Sequence, residues 1–217
     1  MYQPLFDRVS EWATAEAFRD EVTRARKDFF LRTGGEVFED DKSAESRLTA
    51  FLEWYLFDRP LDGKGIPPVA AYLVENRDRL PPEEIPAFEG FTNTIHGIFE
   101  LRRPAQKERL KVRELCRGTE YEVYERRQLA GLAKGDIFEA RLIPSEGELL
   151  FSPAFCYHPR EARKAILAEV KRRKKLGPIE PLPFIHQLSA MALKYERYRN
   201  VSVESLYSFA PPAGVAH

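Results

Sequence analysis

The run Lys134-Gly135-Asp136-Ile137-Phe138-Glu139-Ala140-Arg141-Leu142-Ile143-Pro144 predicts the strand on which the fold is centred. Its opening Lys-Gly pair is typical of a turn in which the glycine adopts a positive φ. Side chains alternate along a strand, so the two faces carry Asp136, Phe138 and Ala140 on one side and Ile137, Glu139 and Arg141 on the other. Neither face is purely apolar. We therefore expect flanking helices to cover the strand on both sides and Arg141 to be buried and paired.

Further strands are predicted on both sides of this run. Residues 97–102, 109–115, 121–125 and 149–157 have the period-two alternation of half-buried strands. The turn between the second and third of these, Arg117-Gly118-Thr119, has the length of a hairpin connection. Five short strands with turns about every ten residues predict a small barrel or a curled antiparallel sheet.

Helical patterns flank the strands. They cover residues 8–31, 43–58, 67–76, 81–97, 158–176 and 184–198, with Pro178, Pro181 and Pro183 predicted as a rigid connector before the last helix. We predict an α+β fold with an N-terminal helical layer, a small antiparallel barrel-like sheet and two C-terminal helices. The corresponding regions, residues 1–96, 97–158 and 159–217, are expected to form one compact unit.

Composition limits the classes of function. Thirty-four basic residues balance thirty-four acidic ones, so net charge gives no general attraction to nucleic acid or to anionic membranes. No apolar stretch approaches the roughly 20 residues of a membrane span, and no signal peptide is recognisable at the N-terminus. Two cysteines are too few for a disulfide scaffold. We expect a cytoplasmic protein without a membrane partner.

A metal site and a cysteine nucleophile are two alternatives. Zinc accepts the side chains of Cys116, Cys156, His158 and His186. The sequence has no Cys-x-x-Cys pair, however, and neither cysteine lies in a recognisable nucleophile turn. The competing interpretation is that both cysteines are small buried hydrophobes and that the histidine before Pro159 caps a helix. We expect no cofactor and favour a non-enzymatic protein.

One helix carries a concentration of basic residues that are candidate nucleic-acid contacts. They are Arg160, Arg163, Lys164, Lys171, Arg172, Arg173, Lys174 and Lys175. Such a cluster can bind phosphate groups of RNA, DNA or lipid. Cations near a helix C-terminus are also stabilised by the helix dipole alone, so a solvated helix end explains the cluster equally.

Two acidic residues in the second predicted helix have catalytic potential. Glu53 and Asp58 are five residues apart, and acid–base chemistry would require neighbouring groups to raise the pKa of one of them. The structural alternative places Trp54 and Phe57 in the core and pairs Asp58 with Arg59 or with the backbone of the following loop. We favour the structural alternative.

The order of two segments resembles a group of uncharacterised bacterial proteins. The first is Phe51-Leu52-Glu53-Trp54, a Phe-x-Glu-Trp motif in the helical region, and the second is the Gly-Asp…Arg-x-x-Pro segment of residues 135–144. In that group a helical region precedes a small β-domain. The resemblance covers residues 45–165 and implies an architecture without a known activity, so it transfers no functional residue.

Three functions follow from these patterns. The leading one is a protein-binding adaptor, because small curled sheets often bind a partner through an exposed edge or loop rim. The alternatives are a nucleic-acid-associated protein that uses the basic helix, and a zinc-dependent or cysteine-based hydrolase. An adaptor is expected to expose an apolar patch of several hundred Å² and to lack a cleft with converging ionisable groups.

Overall fold

The structure, a computed structural model, describes residues 2–106, 108–126 and 131–209; residues 210–217 of the predicted C-terminal region lie outside these ranges. The helices are α1 (Gln3–Ala13), α2 (Arg19–Arg32), α3 (Ala44–Phe57), α4 (Pro68–Asn76), α5 (Ile85–Phe91), α6 (Arg163–Leu176), α7 (Pro181–Arg197) and α8 (Val203–Leu206). The strands are β1 (Ile95–Gln106), β2 (Arg109–Glu114), β3 (Glu120–Tyr124), β4 (Ile137–Ser145), β5 (Glu148–Phe151) and β6 (Cys156–Tyr157).

Five strands close into a barrel. β1 pairs antiparallel with β2 and with β4, β2 pairs antiparallel with β3, and β4 pairs antiparallel with β5. The parallel contact of β3 with β5, at Tyr124 and Leu150, closes the ring. The N-terminal helices, this barrel and the C-terminal helices confirm the predicted α+β fold. The division into the three predicted sequence regions stays a prediction.

The two faces of β4 explain its mixed sequence. Phe138, Ala140 and Leu142 fill the barrel interior, whereas Ile137 and Ile143 point outward into two separate hydrophobic clusters beneath the helices. The interior of the barrel therefore covers one face and the helices cover the other, rather than helices covering both. Glu139 and Arg141 lie on the outward face between the two apolar clusters, and this position creates a polar seam.

The predicted single strand over residues 149–157 is wrong. It is divided into β5, which pairs with the end of β4, and β6, which pairs with Phe138 and Glu139 of the same strand. Residues 152–155 leave the ladder between them. Pro153 has no backbone N–H to donate, and the neighbouring Ser152 hydroxyl and Ala154 amide both donate to the carboxylate of Glu53.

Several helix boundaries differ from the sequence-based expectation, including the predicted start at residue 158, because α6 begins only at Arg163. The predicted helix over residues 8–31 is two helices, because Ala15 is extended with ψ of 162° between α1 and α2. The predicted helix over residues 81–97 ends much earlier, and β1 begins at Ile95. The predicted connector prolines Pro181 and Pro183 belong to the first turn of α7, where the missing N–H costs no helical hydrogen bond.

Glycine fixes a close approach in the barrel. A Cβ added at Gly97 of β1 would lie 2.7 Å from Cγ of Glu114. The main chain of β1 therefore approaches the Glu114 side chain more closely than any residue with a Cβ allows. Within the described residues, no helix combines the length and the apolar character that crossing a membrane requires.

Candidate functional site

A large cavity, the α3–α7 cleft, lies between α3, the C-terminal half of α7 and residues 153–157. Its volume is about 860 Å³. Its walls are largely apolar and carry Phe29, Ala50, Phe155, Ala192 and Leu193. Its floor is the polar seam on the barrel. Cavities of this size, with apolar walls and few polar groups, are typical of small-molecule sites.

Arg141 lies at the floor and is 1% exposed. Its two terminal nitrogens donate to the carboxylate of Asp58, and one of them also donates to Thr94 Oγ1 at 2.9 Å. The guanidinium carbon is 4.8 Å from the centroid of the Phe57 ring. Burial raises the pKa of Asp58, but the charge of Arg141 and the hydrogen bond of His96 outweigh it and lower that pKa well below its ordinary value.

His96 connects two carboxylates. Its Nδ1 is 3.2 Å from Asp58 Oδ2 and its Nε2 is 3.1 Å from Glu139 Oε1. Burial and the Arg141 charge disfavour the imidazolium, but the hydrogen bonds to the two carboxylates prevail and raise the pKa of His96 to about 9. Both ring nitrogens therefore carry protons at neutral pH and donate to ionised oxygens.

Glu139 completes a hydrogen-bonded chain that reaches the cleft. Its second oxygen accepts a 2.5 Å hydrogen bond from the hydroxyl of Ser189, which lines the cleft on α7. Burial raises the pKa of Glu139, but the hydrogen bond of His96 prevails and lowers it. The chain thus contains two cations, His96 and Arg141, and two anions, Asp58 and Glu139. The four charges balance.

Glu53 is the third carboxyl group at the floor and is 4% exposed. Its oxygens accept hydrogen bonds from Ser152 Oγ at 2.8 Å and from the backbone N–H of Ala154 at 3.2 Å. Burial raises its pKa, and the charge of Arg141 and these two donors only partly offset that rise. Burial is the main cause, because ionised Glu53 would add a negative charge to a buried cluster whose other four charges already balance.

Glu53 and Asp58, the two acidic residues singled out in the sequence, both belong to the polar network of the site, but the expected pairing of Asp58 with Arg59 is wrong. Trp54 and Phe57 are buried as expected, but Asp58 does not pair with Arg59, which bonds Glu21 and Asp62 instead. The pKa of Glu53 is raised, and acid–base chemistry requires a raised pKa at one of these two residues. The prediction that Arg141 is buried and paired is confirmed.

The four candidate metal ligands lie in different surroundings. Cys116 belongs to the cluster beneath the C-terminal helices, where burial and the nearby Glu114 raise its thiol pKa to about 12. Cys156 lines the cleft, and burial strongly raises its pKa. His158 Nδ1 is 3.1 Å from the Tyr207 hydroxyl, and His186 packs against the rings of Phe29 and Trp54.

The protonation states and positions of these residues decide whether they suit metal binding or nucleophilic catalysis. Burial lowers the pKa of His158 to about 4 and lowers that of His186 as well, so both imidazoles are neutral at pH 7. Within the described ranges, no three His, Cys, Asp or Glu side chains converge as metal ligands. A raised thiol pKa also suppresses the thiolate form that a cysteine nucleophile needs.

The basic helix is α6 with the turn before it, and its residues divide into two groups. The four arginines contact acidic side chains: Arg160 with Asp136, Arg163 with Glu100, and Arg172 and Arg173 with Glu169. The four lysines are exposed and form no ion pair within the part of the chain that the structure describes: Lys164, Lys171, Lys174 and Lys175. These lysines are the residues of the cluster that remain available to phosphate.

Sequence reasoning missed His96, Glu139 and Ser189 as site residues. A usable signal existed for Glu139, because alternation places it beside Arg141 on one face of β4. His96 is directly opposite Arg141 in the pairing of β1 with β4. The predicted helix over residues 81–97 concealed this relationship.

The polar side chains of the cleft are suited to proton transfer and hydrogen bonding. The raised pKa of Glu53 favours its protonated form, which can donate a proton. Ser189 can donate or accept a hydrogen bond, and the His96–Glu139 pair holds its proton firmly. Cleft groups with shifted pKa values are the usual composition of binding and catalytic sites, although buried structural networks share it.

Comparison with known proteins identifies the family of the chain but no activity. No curated protein and no solved structure matches the chain. The model of a family of unknown function, DUF7986, matches residues 22–180. The matched segment includes Glu53, Asp58, His96, Glu139 and Arg141, whereas Ser189 follows it. The chain belongs to this family of unknown function, DUF7986.

Proposed function

We propose that the protein binds a small organic molecule in the α3–α7 cleft. The observation that carries the proposal is the convergence of Glu53, His96, Glu139 and Arg141 on the floor of one 860 Å³ cavity. A cleft with converging ionisable groups is the feature that distinguishes a small-molecule site from the expected adaptor surface.

The cost of burying this cluster supports the proposal. Several kcal/mol are needed to bring each ion out of water, and hydrophobic residues of similar volume often replace buried ion pairs without loss of stability. Stability alone therefore does not require five ionisable groups at this position. A cleft that reaches four of them gives the cluster a second use, which is to orient a polar ligand.

The other expectations stay predictions. A protein partner, a cytoplasmic location and a bacterial source remain proposals, and an adaptor surface is compatible with a ligand in the cleft. The exposed lysines of α6 favour nucleic acid as a second candidate partner. Retention on immobilised RNA that decreases steeply with salt supports this candidate, and absence of retention at low salt contradicts it.

The proposal is tested by filling the cleft. Native protein and two variants, Ala192→Trp in the cleft wall and Ala168→Trp on the exposed face of α6, are screened by thermal denaturation against a panel of small organic metabolites. A bound ligand at 100 times its Kd stabilises the folded state by roughly 2.7 kcal/mol, which raises the midpoint by several degrees.

The two variants separate a cleft ligand from surface binding. We expect at least one compound to stabilise the native protein and Ala168→Trp but not Ala192→Trp. Stabilisation that is equal in all three proteins contradicts the proposal, because the ligand then binds elsewhere. A panel without any stabilising compound also counts against it.

A further inference from the structure

We infer that the ligand of the α3–α7 cleft is an organic anion with an apolar body, whose charged group lies at the mouth of the cleft. This inference rests on the proposed function and adds the chemical class of the ligand. It depends on which charges that line the cleft already have partners and which do not.

The carboxylates of the cleft are already engaged. Glu53 accepts hydrogen bonds from Ser152 and Ala154, and Glu139 is bonded to His96 and accepts one from Ser189. A cationic ligand that binds either group has to compete with these existing bonds.

The third carboxylate, that of Glu196, joins the two walls. It accepts a 3.2 Å hydrogen bond from the backbone N–H of Ser43, which lies at the N-terminal end of α3. Glu196 therefore holds α7 against α3 at the mouth of the cleft, and recruiting it to a ligand amine would weaken this contact.

Two of the cleft cations are also engaged. Arg141 is paired with Asp58, and Arg47 donates to the carbonyl oxygens of Thr33, Gly35 and Glu36 at the end of α2. Neither guanidinium is available as a primary contact for an incoming charge. They contribute positive potential to the cavity, while their terminal nitrogens donate to oxygens of the protein.

Lys42 and Arg199 differ from every other charged residue of the cleft. Both line it and both are exposed, and the side chain of neither forms a hydrogen bond or ion pair in the described parts of the chain. Lys42 precedes Ser43 and Arg199 follows Glu196 by three residues, so the two cations flank the contact that joins the walls. The unpartnered charge of the cleft is positive and lies at its mouth.

The walls define the rest of the ligand. Besides the mouth cations and the polar floor, the lining of the cleft includes the side chains of Phe29, Phe155 and Leu193. An apolar or aromatic body gains free energy when it leaves water for such walls, and an anionic group at one end then reaches Lys42 and Arg199. Carboxylate, sulfonate and phosphate groups share this chemistry.

Two matched fluorescent probes test the inference. 8-Anilinonaphthalene-1-sulfonate carries an aromatic body and a sulfonate, and N-phenyl-1-naphthylamine carries the same body without the charge. Binding of each is titrated at low salt to native protein, to the double variant Lys42→Gln/Arg199→Gln, to the control Lys171→Gln/Lys175→Gln and to Ala192→Trp.

We expect the sulfonate to bind native protein more tightly than the neutral probe. Removing both mouth cations should raise the Kd of the sulfonate about 5- to 20-fold, which corresponds to a few-fold for each exposed charge. The Kd of the neutral probe should change less than about twofold, and the control pair should leave both Kd values unchanged.

The outcomes separate the two proposals. Equal loss of sulfonate binding in the mouth variant and the control overturns the anion assignment. If Ala192→Trp still reduces binding of both probes, the cleft remains a binding site. Tighter binding of the neutral probe likewise overturns it. Binding that Ala192→Trp does not reduce, or no binding of either probe, contradicts the proposed function itself.

Discussion

The carboxylate of Glu53 lies 3.6 Å from Nε of Arg141, close enough for charge attraction but too far for a hydrogen bond. Arg141 Nε consequently has no hydrogen-bond partner, although it is buried. Glu53 instead directs both oxygens to Ser152 and Ala154. A single side chain thereby holds the break between β5 and β6 while it faces the only fully buried guanidinium of the described cleft residues.

The substitution Glu53→Gln should change how stability depends on pH. The pKa of Glu53 is raised in the folded protein, so its contribution is fully present below the ordinary value of 4.5 and is lost as pH rises through the folded-state value. Glutamine does not ionise. Relative to native protein, the variant should therefore gain stability as pH rises above 4.5, as measured by urea unfolding.

An exposed carboxyl provides the control for that experiment. Glu11→Gln on α1 removes the same charge from an exposed position and is measured in parallel. At pH 4.5 we expect Glu53→Gln to be about 1 kcal/mol less stable than native protein, because its amide faces a hydrogen-bond donor. A difference that does not vary with pH would show that Glu53 keeps an ordinary pKa.

Arg141→Met should be severely destabilising. The variant leaves Asp58, whose side chain is 13% exposed, without its main counter-charge, and breaking a buried pair typically costs about 3–5 kcal/mol. Urea unfolding measures the loss, and Arg19→Ala, which breaks an exposed pair with Glu16, should cost less than about 1 kcal/mol. The double variant Arg141→Met/Asp58→Asn should recover part of the loss, and purely additive effects would contradict the pairing.

The imidazolium of His96 should stabilise the fold below neutral pH. Its pKa is raised from 6.5 to about 9, so its contribution is fully present below pH 6.5 and is lost as pH rises through 9. The difference in unfolding free energy between native protein and His96→Gln should decrease by about 3 kcal/mol across that window. NMR titration of the ring checks the pKa directly, and a midpoint near 6.5 would refute the charged bridge.

Neither cysteine should react readily in the folded protein. The pKa of Cys116 is about 12, and burial strongly raises that of Cys156, so both are thiols at pH 7.5. Iodoacetamide should modify both at least about 100-fold more slowly than in urea-unfolded protein. Rapid modification of Cys156 under native conditions would revive the cysteine-based hydrolase.

Local patterns were sufficient for much of the fold. Alternation located β2 and β3 to within a residue at each end, and Gly177, with φ of 144°, ends α6 as predicted. The mixed faces of the Lys134–Pro144 run correctly indicated a buried, paired Arg141. Each of these features depends on neighbours in the sequence.

Long-range partners were not predictable in the same way. Arg59 was the expected partner of Asp58 because it is adjacent, whereas Arg141 binds Asp58 across 83 residues. His96 falls within the helix predicted over residues 81–97, but the observed helix α5 ends five residues before it. The prediction therefore concealed the position of His96 opposite Arg141. Ser189 gave no signal, because a serine becomes a site residue only when α7 packs beside Glu139.

The most direct measurement is an amide chemical-shift map of isotope-labelled native protein during titration with 8-anilinonaphthalene-1-sulfonate. We expect the shifts to concentrate at the N-terminal half of α3, at residues 153–157 and at residues 189–199, and we expect Ala192→Trp to abolish them. Shifts concentrated on α6, or spread evenly over the chain, would contradict a binding site in the α3–α7 cleft.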